Sequence, residues 1–274
     1  MQRPDADRAH GCLTGLAVCE ALARTPEAAA ATGEPLPSGL WGDGTSMALA
    51  LAESLAECGG VDERDQMVRL TSWFRYGYQS SGETCDYIDE AVKAAILRFE
   101  RTWNPVDDAR TEGDACLARV APAAIAFAGS REAVLDACAR STSTTHSGPQ
   151  SVDACRLLAA MLDEALGGAD KARVLRPDMP SGLCPEAAAL LDEAPPAQAG
   201  DACAALAAAM AAFSASDSFA SGCRLCLPAG PRAMAAYGQL AGAWYGLGAI
   251  PAAWLRSLAR ADALRKAVEP LRNG

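Results

Sequence analysis

The sequence predicts an all-α protein, a single domain over residues 1–274 built as a bundle of about a dozen helices. About sixty of the 274 residues are alanine, the strongest helix former, and half of the chain is hydrophobic, enough for one large core. Aromatic residues make up only 5%, whereas a β-sandwich or barrel needs aromatic and β-branched strands. Apolar residues recur at intervals of three and four, and no stretch alternates long enough to require a strand.

The first two helices follow from this spacing and from the residues that interrupt it. Apolar residues three and four apart predict a helix from about Asp7 to Ala23, and prolines and a glycine at 35–39 then force a loop. Thr45 can cap a second helix that ends at Gly59-Gly60. The remaining predicted helices are Asp62–Tyr76, Ile88–Phe99, Leu117–Phe127, Arg131–Arg140, Val152–Leu166, Pro185–Leu191, Ala202–Phe213, Met234–Gly246, Ala252–Arg260 and Ala261–Leu271. The segment around Pro195-Pro196 is interpreted as a loop within the domain.

Charge and composition exclude several functional classes. Lys and Arg total 24 against 34 Asp and Glu, which gives a net charge of −10 and a pI near 4.8. Such a chain is a poor general nucleic-acid binder, because phosphate neutralisation needs clustered basic residues. The start, MQRPDADRAH, lacks a signal-peptide pattern, and the longest weakly polar run, Ala202 to Phe213, is too short to span a bilayer. We therefore expect no membrane partner and no nucleic-acid partner.

The eleven cysteines are scattered singly through apolar stretches. An odd count without framework spacing indicates reduced thiols used as small hydrophobic residues, which predicts a cytoplasmic protein. Cys223 and Cys226 have zinc-like spacing, but no second pair matches them. Two buried thiols are the simpler interpretation.

Six blocks, in order, resemble the ADP-ribosylglycohydrolase family and cover nearly the whole chain. The block that starts Trp41-Gly-Asp-Gly-Thr is similar to a family stretch that reads Trp-Thr-Asp-Asp-Thr and runs into a helix. The other blocks are Arg8–Leu22, Trp73–Gly82, Gly113–Pro122, Thr144–Arg156 and Tyr237–Trp254. The resemblance implies an orthogonal multi-helix bundle whose cleft holds two magnesium ions. It also implies hydrolysis of the glycosidic bond between ADP-ribose and an acceptor, often arginine.

Most metal-ligand side chains of the family are replaced in this sequence. The threonine and paired aspartates before the second helix correspond to Gly42–Thr45, which keeps one aspartate, Asp43. The C-terminal Asp-x-Asp-Thr motif falls on Ala229–Arg232, and no aspartate occurs anywhere between Ser218 and Trp244. Magnesium needs near-octahedral oxygen ligands and dehydrates reluctantly. We therefore expect no metal ligand and no magnesium cofactor, with Arg232 presenting positive charge where the family has negative charge.

The ligand loops of the family are altered too. The family's Phe-Asp-Ile-Gly turn aligns with Asp86–Asp89, and its Gly-Asn-Gly-Ser loop becomes Gly113–Cys116. At the first helix a glutamate replaces an aspartate, Glu27 matches a family glutamate, and His146 approaches the cleft as its counterpart does. No catalytic residue is predicted. The predicted substrate-binding residues are Glu20, Asp43, Thr45, Gly82, Asp86, Tyr87, Asp114 and His146.

Two functions from different classes are consistent with these changes. The first is a pseudoenzyme that acts by binding ADP-ribose, an ADP-ribosylated protein or an ADP-ribosyltransferase that it occludes. The second is an active, metal-independent hydrolase or lyase of ADP-ribosyl or related N-glycosidic substrates, which would use the remaining carboxylates at Glu20, Asp43, Asp86, Asp89 and Asp114. For Asp86, Asp89 and Glu90 the simpler interpretation is a solvated helix N-terminus, and for His146 it is a hydrogen-bonded loop residue.

Overall fold

The all-α prediction is confirmed in the part of the chain that the structure describes. The computed structural model describes residues 4–24, 35–36, 38–180, 182–192 and 201–273, which contain fourteen α-helices, three short 3-10 helices and no strand. The helices are α1 (Ala6–Ala23), α2 (Asp43–Cys58), α3 (Glu63–Tyr76), α4 (Glu90–Thr102), α5 (Ala121–Ala126), α6 (Arg131–Thr142), α7 (Pro149–Leu166), α8 (Lys171–Leu175), α9 (Pro185–Leu191), α10 (Ala202–Ala215), α11 (Phe219–Cys226), α12 (Pro231–Tyr245), α13 (Ala252–Ser257) and α14 (Ala261–Asn273). The 3-10 helices are Ala115–Arg119, Leu227–Ala229 and Leu247–Ala249. Glu27, Pro37 and Pro195-Pro196 lie outside the described residues.

Several details of the helix prediction are wrong. Thr45 does not cap α2, because the helix begins at Asp43 with Gly42 as its N-cap and Thr45 lies inside it. The predicted helix over Leu117–Phe127 is a 3-10 helix followed by α5, which restarts with Pro122 in its first turn, where the missing N–H costs nothing. The short helices α8 and α11 were not predicted, and α13 ends at Ser257 instead of Arg260.

The centre of the fold is the close pair α1 and α12. Both helices are buried along most of their length, and glycines replace side chains where they touch. A Cβ atom at Gly15 would lie 2.2 Å from the carbonyl oxygen of Gly238, and one at Gly242 would lie 2.0 Å from that of Gly11. The two backbones are therefore in direct contact, and α1 and α12 form the rigid base on which Glu20 and Arg232 are carried.

Arg8, on the first turn of α1, ties the ends of two neighbouring helices to this centre. Its Nη1 atom donates hydrogen bonds of 2.9 Å to the carbonyl oxygens of Ala165 in α7 and Trp244 in α12. The last carbonyls of a helix have no partner within it and carry the negative end of its dipole. The Arg8 guanidinium thus donates hydrogen bonds to carbonyl groups at the C-terminal ends of both helices.

Helix α2 connects two clusters of buried apolar residues. Its Leu49 and Leu51 belong to the main core around α1, α7 and α12, while Met47 belongs to a smaller core formed with α3 and α4. The loop after α3 turns at Gly77, where φ is +68° and a Cβ atom would lie 1.9 Å from the Glu83 carbonyl oxygen. Because Met47 and Leu49 belong to different cores and lie close to the start of α2, the N-terminus of α2 lies where the two cores meet.

Most of the cysteines are buried, as the sequence predicts for thiols used as small hydrophobic residues. All eleven cysteines are free, and Cys223 and Cys226 are each only 1% exposed. Within the described ranges, no helix has both the length and the apolar character needed to cross a bilayer.

Candidate functional site

The Glu20 side chain caps the N-terminus of α2. Its carboxylate accepts hydrogen bonds from the backbone N–H groups of Gly42 (3.1 Å), Gly44 (3.0 Å) and Thr45 (2.8 Å), and from the Thr45 hydroxyl (2.6 Å). Gly44 must be small, because a Cβ atom there would lie 2.4 Å from Glu20 Oε1. Burial and the nearby Asp43 carboxylate raise the pKa of Glu20, and the Thr45 hydrogen bonds oppose this shift. A side chain from α1 thus supplies the cap that Thr45 was predicted to provide.

Asp43 and Arg232 form a buried, two-pronged ion pair at the first turn of α2. Arg232 Nη1 lies 2.9 Å from Asp43 Oδ1, and Nη2 lies 2.7 Å from Oδ2. The side chains are only 11% and 5% exposed. The pKa of Arg232 lies above its ordinary value, because the effect of Asp43 and the other carboxylates outweighs burial. Parallel N–H···O bonds of this kind are the strongest arrangement available to an arginine and a carboxylate.

Asp114 lies on the other side of the Arg232 guanidinium. Its Oδ1 atom is 3.9 Å from Arg232 Nε, and its side chain is one-quarter exposed. Burial raises the pKa of Asp114, and the Arg232 charge partly opposes that effect. Glu20, Asp43 and Asp114 therefore surround one fixed cation.

A narrow crevice opens between the N-terminus of α2 and the loop that follows α3. Trp41, Asp43, Ser80, Asp86 and Tyr87 line it, and its volume is about 20 Å³. Trp41 and Ser80 are almost completely buried, and neither Trp41 Nε1 nor Ser80 Oγ has a hydrogen-bond partner. A space of this size holds about one water molecule. In this conformation the crevice can accept a single small polar group.

The predicted loop residues lie at the outer edge of this crevice. Gly82 is exposed and lies close to Asp86, which accepts a hydrogen bond from the Thr84 hydroxyl. Tyr87 is 58% exposed. Asp89 caps α4 by accepting a 2.9 Å hydrogen bond from the Ala91 N–H, which agrees with the simpler interpretation of this acidic cluster as a helix N-terminus.

His146 is completely buried behind the Gly113–Asp114 loop. Thr145 Oγ1 lies 2.7 Å from His146 Nδ1 and also accepts a hydrogen bond from Arg119. Because a guanidinium only donates, the Thr145 hydroxyl accepts from Arg119, and it keeps a second lone pair and its own proton, so it can pair with either tautomer of the imidazole. Nε2 has no partner and would lie 2.9 Å from a Cβ atom at Gly113. The imidazole is thus held against the loop that carries Asp114.

The buried imidazole predicts a pH-dependent stability. Burial, then the charges of Arg119 and Arg232, lower the pKa of His146 to about 3, against the opposing effect of Asp107. The unfolded chain titrates near pH 6.5, so only the unfolded state binds a proton between these values, and stability falls as the pH falls through this range. At pH 4.5 the expected loss is about 2 to 3 kcal/mol relative to pH 7.5.

Urea unfolding at the two pH values measures this loss. His146→Asn, whose amide oxygen can accept from Thr145, should remove this part of the pH dependence. His10→Asn, a change at the only other histidine, should keep it. An equal pH dependence in wild type and His146→Asn would contradict the assignment.

The structure brings the predicted residues together in three groups. Glu20, Asp43 and Thr45 meet at the N-terminus of α2, with Asp114 nearby across Arg232. Asp86 and Tyr87 line the crevice together with Asp43, Gly82 lies close to Asp86, and His146 lies behind the Asp114 loop. Sequence reasoning missed Ser80, which lies within the Trp73–Gly82 block but was not singled out there. Among the described residues, no group of three or more His, Cys, Asp and Glu side chains is arranged to hold a metal ion.

Comparisons with known proteins agree with the earlier resemblance. The family model for ADP-ribosylglycohydrolase matches residues 1–273. The ADP-ribosylarginine hydrolase Tri1 of Pseudomonas putida (strain GB-1) is 31% identical over 97% of this chain and 78% of its own length. The protein of the same name from Serratia proteamaculans (strain 568) is 29% identical over 97% and 79%. A solved structure described as an ADP-ribosylglycohydrolase-related protein complex superposes with a TM-score of 0.82 and 34% identity, covering 98% of each chain.

Proposed function

The chain belongs to the ADP-ribosylglycohydrolase family, and on that premise we propose that it is a pseudoenzyme. It binds ADP-ribose, or a protein that carries or transfers ADP-ribosyl groups, without magnesium-dependent hydrolysis. The observation that carries the proposal is the Asp43–Arg232 ion pair. A guanidinium lies where the family resemblance places magnesium ligands.

The side chains around Arg232 do not fit two magnesium ions. Both oxygens of Asp43 accept from Arg232, and both oxygens of Glu20 accept from the N-terminus of α2. Asp114 is left, and it faces the guanidinium at 3.9 Å. Magnesium would have to displace a bidentate ion pair and then remain beside a positive charge, with too few free carboxylates for octahedral coordination.

The Arg232 guanidinium also stabilises the site when no metal is bound. A fixed guanidinium offsets the repulsion among Glu20, Asp43 and Asp114, so the N-terminus of α2 keeps its position. Trp41 Nε1–H and the Ser80 hydroxyl have no hydrogen-bond partner, and both residues line the crevice. These groups can bind hydroxyl or phosphate oxygens of an ADP-ribosyl group, which supports retained binding in the absence of hydrolysis.

Binding of a whole nucleotide requires the crevice to open. Ligand pockets for molecules of this size measure several hundred Å³, far more than the present crevice. Tyr87, which is largely exposed, forms part of its outer wall and can move at little cost in buried surface. We therefore expect ADP-ribose to displace the Asp86–Tyr87 side of the crevice.

One observation favours the alternative, a metal-independent hydrolase. The pKa of Asp114 is raised by burial, as a general acid requires. Against this, Glu20 and Asp43 are fully engaged and Asp89 caps a helix, which leaves only Asp86 of the predicted carboxylates to act with Asp114 in acid–base catalysis. Turnover of ADP-ribosyl-arginine in the presence of a chelator, lost in Asp114→Asn, would favour the alternative over the pseudoenzyme.

Calorimetric titration with ADP-ribose, in magnesium and in chelator, tests the proposal. We expect equal binding in both buffers and at least tenfold weaker binding to Trp41→Phe, which lacks the unpaired N–H group. Trp254→Phe is the matched control, because Trp254 Nε1 is also buried and unpaired but does not line the crevice. Magnesium-dependent binding would overturn the proposal. Absence of nucleotide binding in both buffers would restrict the function to recognition of a protein.

A further inference from the structure

The connection between α13 and α14, residues 257–260, holds the Trp41 wall of the crevice from outside, and we call it the corner. The Ala259 N–H donates a 3.0 Å hydrogen bond to the carbonyl oxygen of Gly39, two residues before Trp41. Gly39 has a φ of +61°, and a Cβ atom there would lie 1.8 Å from the Ser257 carbonyl oxygen. The two backbones are therefore in direct contact, as only a glycine at this position allows.

The same corner reaches the opposite wall through Arg260. The Arg260 guanidinium donates a hydrogen bond from Nη1 to the Ser80 carbonyl oxygen. Ser80 and Trp41 both line the crevice, and the Ser81 hydroxyl donates a 3.1 Å hydrogen bond to the Trp41 carbonyl oxygen. The two walls are therefore linked twice, once through Ser81 and once, outside the crevice, through the corner.

The backbone is strained both at the corner and in the Ser80 loop, residues 77–83. Among the described residues, five that are not glycine have a positive φ, and three of these lie in the two segments: Gln79 at +63°, Glu83 at +69° and Arg260 at +43°. A side chain disfavours this left-handed conformation, which persists only where surrounding contacts impose it. Such strain is concentrated at sites that position ligands, and the two strained segments are joined by the Arg260 hydrogen bond.

Arg260 acts on the crevice without lining it. Its exposed side chain lies in a separate groove between α2 and α14. Glu53 in α2 also holds the Ser80 loop, by accepting a 2.7 Å hydrogen bond from the Tyr78 hydroxyl. The corner differs from Glu53 because it is bonded to the Trp41 wall as well, so it sets the position of one wall relative to the other.

We propose that Arg260 is a positioning residue for ligand binding at the crevice. It holds the Ser80 loop so that the Ser80 hydroxyl and Trp41 Nε1, both without a partner, can contact the same ligand group. Two walls fixed in advance bind more tightly than two mobile loops, because ordering a loop on binding costs part of the affinity. This inference rests on the proposed function, since it concerns binding at the same crevice.

Hydrogen exchange measured by mass spectrometry tests the positioning without any nucleotide. Arg260→Ala and Arg260→Gly both remove the guanidinium, but only glycine also relieves the backbone strain at this position. In both variants, backbone N–H groups of residues 38–42 and 77–83 should exchange at least about tenfold faster than in wild type. Lys266→Ala removes another cation from the same groove and should change these rates by less than about twofold.

Calorimetric titration with ADP-ribose tests the consequence for binding. Both Arg260 variants should bind at least about tenfold more weakly than wild type, and Lys266→Ala should bind like wild type. Arg260→Lys, which keeps a donor, should recover part of the loss. Arg260→Gly should nevertheless unfold in urea close to the wild-type midpoint, because relief of strain offsets the lost hydrogen bond.

Three results would overturn the inference. The first is exchange rates in the Arg260 variants equal to those of Lys266→Ala, and the second is faster exchange with unchanged affinity. The third is a loss of affinity in Arg260→Gly that accompanies a large fall in the urea midpoint, which would indicate a merely structural role. If wild-type protein binds no ADP-ribose, the proposed nucleotide binding fails, and the exchange rates alone decide whether Arg260 holds the two walls.

Discussion

Gly238→Ala is expected to lower the free energy of unfolding by at least about 3 kcal/mol, at the upper end of the range for overpacked cores. The new Cβ atom would lie 2.3 Å from the carbonyl oxygen of Gly15 and 2.8 Å from the Cβ atom of Cys19. Neither neighbour is the flexible end of a long side chain. The α1–α12 pair would have to separate at its closest point, and the apolar contacts along both helices would loosen with it.

Urea unfolding followed by circular dichroism measures this effect. Gly15→Ala, the reciprocal change on α1, should cost a similar amount. Gly60→Ala is the matched control, because no heavy atom lies within 4 Å of a Cβ atom at that position. A Gly238→Ala protein as stable as Gly60→Ala would show that the two helix backbones are not in direct contact.

Much of the fold could be predicted because helix periodicity is a local property. The limits of α1, α3 and α9 agree with the prediction to within two residues, since apolar spacing and capping residues act within each segment. The cap of α2 could not be predicted from local sequence. Glu20, from another helix, occupies the N-terminus that Thr45 appeared suited to cap, and only tertiary structure places it there.

The candidate site was predictable as a set of altered motifs but not as an arrangement. Family spacing identified Asp43 and indicated that Arg232 brings positive charge. The two residues are 189 positions apart, and nothing in the sequence states that their side chains form a bidentate pair. The burial of His146 and the free hydrogen-bonding groups of Trp41 and Ser80 depend on side-chain orientation, which apolar periodicity does not specify.

Arg232→Met is expected to destabilise the protein by about 3 to 5 kcal/mol, because removing one partner leaves a buried charge without compensation. Asp43 would remain almost completely buried, next to Glu20, which is also buried. Methionine fills much of the arginine volume, so a cavity would contribute little to the loss. Arg232→Lys keeps the positive charge but cannot donate two parallel hydrogen bonds, and its loss should be smaller.

A double-mutant cycle with Asp43→Asn separates loss of the pair from loss of either side chain. Asp43→Asn/Arg232→Met should be more stable than Arg232→Met alone, because the uncompensated carboxylate is gone. Lys266→Met, which removes an exposed partner of Asp262, is the control and should produce no measurable change. If Arg232→Met were as stable as this control, the guanidinium would not be needed to offset the carboxylates. Magnesium binding to the Arg232→Met protein should then be measured, because a protein in which Asp43 and Glu20 stay buried without Arg232 could accept another cation beside them.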